Sequence, residues 1–475
     1  MHELMMKTMA EQAALVRRGE ISPVELTDAA IAAIEALNPA LNAVVLPLFE
    51  YAREQARAVA RDAPFAGVPL LLKDMLAECA GTPLTEASRF LQGYVSPRDS
   101  ELVRRCKQAG FVVCGKTNAP EFAAKPTTEP ELYGPTRNPW DLARSPGGSS
   151  GGAAAAVAAG MVAVAHANDG GGSIRIPAAV CGLVGLKPTR GRNPLGPDCG
   201  DPGGAGLICE HVVTRSVADT ALMLDVTAGA DAGAPYFPVP PSRPYAAEVG
   251  ADPGRLRIAW SAQPVLDTAV HADCRAAVEA AARLCESLGH DVEEARPAVD
   301  AGDFHDFFTT LWIGMMAAIV RGWEQRLGRT ATAEHFERHT WKMLEMDARL
   351  HPSDYLLALD AMQRFARAMA PFWDTCDVWL TPTLPEPPVP LGWFEHDRAE
   401  PQRGTGRMQA FMRFTGVANA TGQPAITLPL HWNAAGLPIG VQLMGRYGDE
   451  AGLLRLAAQL ERAQPWAGRY PAPPA

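Results

Sequence analysis

The chain has 475 residues, 43 basic against 53 acidic side chains for a formal net charge of −10, and 47% hydrophobic residues. That length can bury a large core, as one big α/β domain or two to three smaller ones. An acidic balance without a long basic run argues against a nucleic-acid partner, and no uncharged apolar run reaches the roughly 18 residues that a membrane span needs.

The nine cysteines are scattered, odd in number and never spaced as CxxC. This argues against a disulfide framework or a structural zinc site and predicts small core residues in a reducing compartment. Met1 to Lys7 lacks a basic region followed by a long apolar one, so no secretory leader is expected and the expected location is cytoplasmic.

In chain order, Ser22-Pro23-Val24-Glu25 opens a helix, with a serine cap, proline at the first helical position and glutamate at the third. Leu26, Ala30, Ile34 and Leu37 recur at helical spacing, and Asn38-Pro39 is expected to stop the run. Residues 1–60 are therefore expected to be a helical segment packed on a main body spanning 61–475. From Gly67 onward, short apolar strands alternate with helical patterns: strands over 68–72, 111–114 and 161–165, helices over 100–109 and 152–159. That alternation predicts an α/β fold with a largely buried sheet. Proline-rich stretches at 235–244, 382–390 and 465–474 are expected on the surface, and residues 272–288 and about 304–370 read as helical. The second helical stretch carries a stripe of Phe304, Phe307, Phe308, Trp312, Met315 and Met316, the usual signature of a helix core.

Two motifs mislead. Gly110 to Thr117 matches the phosphate-loop pattern GxxxxGKT, but its four middle residues are β-formers where a phosphate cradle needs a flexible loop. Gly147-Gly148-Ser149-Ser150-Gly151 fits the GxSxG turn of α/β-hydrolases, which would make Ser149 the nucleophile and require a later acid and histidine. His339, His351, His396 and His431 follow it, and none has a context that singles it out.

A different constellation uses more of the sequence. Ser173 sits in Asp169-Gly170-Gly171-Gly172-Ser173-Ile174-Arg175, 24 positions after Ser149, and a lone lysine, Lys73, ends the apolar run Val68-Pro69-Leu70-Leu71-Leu72. Together they supply a nucleophile, a proton relay and a base without any histidine. At these residues the chain closely resembles the amidase signature family of serine hydrolases. The resemblance runs from Gly19-Glu20-Ile21-Ser22 to Val441-Gln442-Leu443-Met444-Gly445. It implies an α/β/α sandwich around a mixed sheet, with a helical substrate-pocket insertion at about 300–410 whose aromatic stripe walls the pocket.

The resemblance implies that Ser173 attacks the carbonyl, Ser149, on a cis peptide bond, relays the proton, and Lys73 is the base. The backbone N–H groups of Gly170, Gly171, Gly172 and Ser173 correspond to the family's oxyanion loop, where glycine lets the backbone approach the substrate closely. Asp169 and Arg175 are expected to hold that loop, and Ser150 to bond near the relay. Cys181, Lys187 and the C-terminal landmarks Thr381-Pro382-Thr383 and Asn419-Ala420-Thr421 are expected to be structural. Lys73 can act as a base only when neutral. Free lysine titrates near ~10.4, so its apolar setting must lower that value.

The Ala167-Asn168-Asp169-Gly170 sequence departs from the family's usual Gly-Thr-Asp or Gly-Ser-Asp and its following threonine or isoleucine. It resembles the branch that includes cyclic-amide nylon-oligomer hydrolases. The implied function is hydrolysis of carboxylic amides, with carbamates or esters as further candidates, through an acyl-enzyme on Ser173 and without metal or organic cofactor. The implied partner is a small-molecule substrate, with a homodimer left open. Two other readings remain at this point: a glutamine amidotransferase subunit for tRNA-bound substrates, which would copurify in a hetero-complex, and a catalytically silent binding protein on the same fold.

Overall fold

The computed structural model describes residues 2–472 except 198, 201–204, 236, 267, 301, 303 and 396–402. Its strands are β1 (Val44–Pro47), β2 (Pro69–Lys73), β3 (Val112–Thr117), β4 (Val164–Asp169), β5 (Val184–Lys187), β6 (Cys209–Thr214), β7 (Arg257–Trp260), β8 (Asp291–Glu294), β9 (Val378–Pro382), β10 (Ala425–Trp432) and β11 (Pro438–Gly445). They form one mixed sheet in the order β1-β3-β2-β4-β6-β5-β10-β11-β9-β7-β8. β3, β2 and β4 run parallel, as do β9, β7 and β8, and the strands between these two groups pair antiparallel.

Alternation along β11 shows how helices come to cover both faces. Ile439, Val441 and Leu443 enter an apolar layer with residues of helices Val217–Thr227, Ala272–Ser287 and Glu450–Ala463. Gly440 and Gln442 point the other way, towards helix Arg175–Cys181. A Cβ on Gly440 would come within 2.4 Å of Ala179 Cβ, and Gln442 Oε1 accepts from Arg175 Nη1 at 2.8 Å. Successive side chains on opposite faces, each covered by helix, make this the expected α/β/α sandwich.

Helix Gly151–Ala158, with the sequence GGAAAAVA, is buried along its whole length. Its small side chains share one core cluster with Ala29, Ala30, Ala33 and Ile34 of helix Pro23–Leu41. The latter begins at the expected Ser22 capping box but runs past the expected stop at Asn38-Pro39. Proline removes one helical donor, yet the turn closes around Asn38. The Asn38 side chain accepts from the N–H groups of Ala43 and Val44 at 2.8 and 2.7 Å. Asn42, in the left-handed conformation, donates its N–H to the Asn38 carbonyl at 2.7 Å. The first 60 residues are not wholly helical either, because β1 joins the sheet edge antiparallel to β3.

Other elements shift from expectation for physical reasons. The strand expected at 161–165 is β4, three residues later, because its second half is polar: His166, Asn168 and Asp169 are all buried. The stretch around 304–370 resolves into helices Phe304–Leu327, Arg338–Asp347 and Pro352–Met369. β9 also lies inside the 300–410 region, so that region contributes to the central sheet. The expected surface passage at 382–390 begins buried, with Pro382 ending β9 and Thr383 and Leu384 inside the protein. All nine cysteines are free thiols, eight of them buried. Among the described residues no helix is long and apolar enough to cross a membrane.

Candidate active site

Parallel pairing of β2 with β4 sets their carboxyl ends side by side, the edge where open α/β sheets host ligands. Lys73 is the last residue of β2. Ser173 lies in the loop from β4 to helix Arg175–Cys181. Ser149 follows a cis Gly148–Ser149 peptide bond and precedes helix Gly151–Ala158. Ser149 and Ser173 both line one narrow cavity, together with Asn168, Gly170, Phe122 and Trp312. Gly148 is required by close approach: a Cβ there would lie 2.4 Å from the backbone nitrogen of Thr127.

Lys73 is fully buried, and its Nζ lies 2.7 Å from Ser149 Oγ and 2.6 Å from Asn168 Oδ1. Burial pushes its pKa down from 10.5 to about 7, against the opposing negative charges of Glu210 and Asp169. The second contact is to a neutral amide, where a carboxylate at the same distance would hold the ammonium charged. Asn168 is oriented by its own donors, since Nδ2 reaches the Met75 carbonyl at 3.4 Å and Glu210 Oε1 at 3.3 Å. Glu210 stands directly across from Asn168 in the β4–β6 register and also accepts from His166 Nε2. His166 Nδ1 in turn accepts the backbone N–H of Lys73 at 3.2 Å. In its neutral form Lys73 can accept the Ser149 hydroxyl proton while donating to Asn168.

The loop before Ser173 is clamped by a buried ion pair. Arg175 Nε and Nη2 each reach Asp169 at 3.0 Å, and Asn419 Nδ2 adds a bond to Asp169 Oδ1 at 2.9 Å. Burial alone would raise the Asp169 pKa, but Arg175 beside it holds the carboxyl down at about 2. Asp169 also accepts the N–H groups of Gly172 and Ile174 at 2.7 and 3.1 Å. This corrects the expected oxyanion set, because the single N–H of Gly172 is already committed to Asp169. The N–H groups of Gly170, Gly171 and Ser173 have no partner among the described residues. Gly172 has a structural task instead: its φ is +135°, and a Cβ there would lie 2.4 Å from Thr415 Oγ1. Ser150 Oγ donates to the Asn168 carbonyl at 3.3 Å, beside the lysine's partner.

The sequence reading missed the orienting roles of His166, Asn168 and Glu210; the available signal was the polar side chains set among apolar ones, His166, Asn168 and Asp169 on β4 and Glu210, His211 and Thr214 on β6. It also missed Thr415, whose hydroxyl donates to the Gly171 carbonyl at 2.6 Å. The GxSxG alternative finds no support, since Ser149 meets Lys73. His339 lines a larger neighbouring cavity, His351 caps helix Pro352–Met369 and His431 lies on β10; His396 falls outside the described residues. The GxxxxGKT stretch is strand β3, with Lys116 buried on the Ala77 carbonyl at 2.9 Å. Cys181 is buried and Lys187 bonds the Pro188 carbonyl at 2.7 Å; neither lines the cavity of Ser149 and Ser173.

These features bring two serine hydroxyls and a buried lysine to one cavity at the carboxyl edge of the sheet. Residues 25–454 match the Amidase family, and the chain belongs to it. It is accordingly a hydrolase of carbon–nitrogen bonds in amides. It is 42% identical to the 6-aminohexanoate-cyclic-dimer hydrolase of Paenarthrobacter ureafaciens over 474 residues, covering 97% of this chain and 95% of the relative. The enzyme of the same name from Pseudomonas sp. (strain NK87) is 41% identical, with the same coverage. Among solved structures, 6-aminohexanoate cyclic dimer hydrolase in complex with substrate superposes with a TM-score of 0.93 at 40% identity, over 98% of this chain and 99% of that one. A bacterial aryl acylamidase of the amidase signature family follows at a TM-score of 0.87 and 28% identity, over 98% of this chain and 99% of that one.

Proposed function

We propose that this amidase works through an acyl-enzyme on Ser173, with Ser149 as proton relay and neutral Lys73 as the base. The observation that carries the reading is the 2.7 Å approach of a buried, pKa-depressed Lys73 to Ser149, in a cavity that Ser173 also lines. Ser173 Oγ attacks the amide carbonyl and its proton passes to Ser149, whose own proton moves to Lys73. The oxyanion that forms takes hydrogen bonds from the N–H groups of Gly170, Gly171 and Ser173, each such donor being typically worth about 3 kcal/mol in the transition state. Collapse breaks the C–N bond as Lys73 returns its proton through Ser149 to the leaving amine. Water then repeats the path in reverse to free the acid. Asp169, Arg175 and Asn419 hold the donors in place, and Asn168 aims the lysine. Esters and carbamates present a similar carbonyl to the same donors. The relatives' names put the cyclic 6-aminohexanoate dimer first among amides to assay.

The pH profile tests this reading. The active form carries neutral Lys73, so kcat/KM should rise with pH and level off above an apparent pKa of about 7. A profile flat from about pH 5 to 9 would contradict a lysine base titrating in that window.

A further inference from the structure

Beside the narrow catalytic cavity lies a much larger one of about 500 Å³. Trp312 lines both. The glycine loop abuts the same wall: Cβ atoms built on Gly170 and Gly171 would stand 3.2 Å from Trp312 and 3.4 Å from Met412 Sδ. The chamber therefore lies next to any carbonyl held under that loop, with Trp312 and Met412 as the shared wall. Phe304, Phe308, Ile313, Met343, Met408 and Met412 give it apolar walls suited to a methylene chain.

Its charged lining is of one sign. Lys342, Arg349 and Arg413 line the chamber, and among the described residues no aspartate or glutamate does. Lys342 and Arg349 are exposed, as rim positions would be, whereas Arg413 is half-buried. Arg413 Nε is shielded from solvent without an acceptor, and its guanidinium has no carboxylate partner among the described residues. Burial is the one influence acting on its titration, and it lowers the pKa. A guanidinium stays charged at any ordinary pH, and leaving one partly desolvated and unpaired is costly. Elsewhere in this protein the buried arginines Arg175 and Arg192 are paired with Asp169 and Glu450, and Arg215, half-buried like Arg413, donates to the carbonyls of Val157, Val162, Met5 and Lys7. Arg413 departs from that pattern, and it does so in the wall of a cavity that opens beside the oxyanion donors.

We infer that this chamber binds a carboxylate carried by the substrate at the far end of an apolar chain, with Arg413 as its principal partner. The substrate class is then a linear amide ending in a carboxylate, in preference to a neutral amide of the same shape. This rests on the acylation reading above for which carbonyl is attacked, but the recognition itself is a binding property.

The experiment uses the mono-4-nitroanilides of the linear dicarboxylic acids from glutaric to suberic, each against its neutral methyl-ketone isostere. On the Ser173→Ala protein, calorimetric titration should show the best carboxylate binding at least about tenfold more tightly than its isostere, as expected for a charge-assisted hydrogen bond. In Ser173→Ala/Arg413→Gln that ratio should fall to near one, and Arg413→Lys should retain part of it. Equal affinity for acid and isostere across the series would overturn the inference, and so would a preference that survives Arg413→Gln. Should Arg413→Gln not fold, the acid-to-isostere ratio with Arg413 intact decides by itself. Release of 4-nitroaniline by the wild-type protein, and its loss in Ser173→Ala, tests the acylation reading separately, so the failure of either is recognisable without the other.

Discussion

Ser173→Ala should lower kcat by at least about 10³-fold while leaving a folded protein that still binds its amide. The size follows from the role: without the hydroxyl no acyl-enzyme forms, and the oxyanion donors and chamber can only hold the substrate. The small structural cost follows from the surroundings. Ser173 is 8% exposed, and its Oγ has no hydrogen-bond partner among the described residues, so alanine leaves no buried group orphaned. Thermal melting should stay within about 0.5 kcal/mol of wild type, with Kd for the substrate little changed. Retention of more than about a tenth of the wild-type kcat would remove Ser173 from the chemistry.

Lys73→Met should abolish turnover to a similar degree, yet hold or raise stability at neutral pH. The lysine's folded pKa of about 7 lies below its ordinary 10.5. Between those values the unfolded chain binds a proton that the folded one does not, so stability rises with pH across that window and the full penalty stands below it. At pH 7 most of this penalty is present, and each tenfold loss of proton affinity on folding costs about 1.4 kcal/mol. Methionine fills a similar volume and carries no charge, so it removes the penalty. Against it stand the lost bonds to Ser149 Oγ and Asn168 Oδ1, which offset part of the gain. Melts of both proteins at about pH 6 and pH 10 should show the stability difference in the variant's favour shrinking as pH rises. A folded Lys73→Met protein with near wild-type turnover would contradict the base assignment.

Much of this was legible in the sequence because the relevant signals are local. The capping box at Ser22 to Glu25, the alternation from Gly67 onward and the glycine runs around Ser149 and Ser173 each specify short-range geometry. The Asp169–Arg175 pair was legible for the same reason, since six residues separate the partners across one loop. The signal that drew attention to Lys73, a lysine in an apolar strand, is less selective than it looks. Lys116 within β3 and Lys187 at the end of β5 also stand in buried strands, and both are fully buried with lowered pKa values. They are held by backbone carbonyls. Only the fold shows that Lys73 is the one beside Ser149.

What could not be read depends on side chains meeting across the sheet or across long sequence separations. Asn168, His166 and Glu210 form a set because β4 pairs with β6 in one register. The same polar residues on β4 hid its second half from a pattern that looks for apolar runs. The commitment of the Gly172 N–H to Asp169 is a matter of loop conformation that a glycine count cannot reveal. The chamber brings Trp312 and Arg413 together from segments about a hundred residues apart. The aromatic stripe was ambiguous for a physical reason: Phe307 belongs to the helical core, while Phe304, Phe308 and Trp312 also face the cavity.

The most direct test of the central claim is the identity of the acylated residue. A fluorophosphonate that carries no charge, reacted to completion and located by peptide mass spectrometry, should mark Ser173 alone. Labelling should slow strongly in Ser149→Ala and Lys73→Met but stay at the same residue. An adduct on Ser149, or labelling of Ser173 at an undiminished rate without Lys73, would contradict the account.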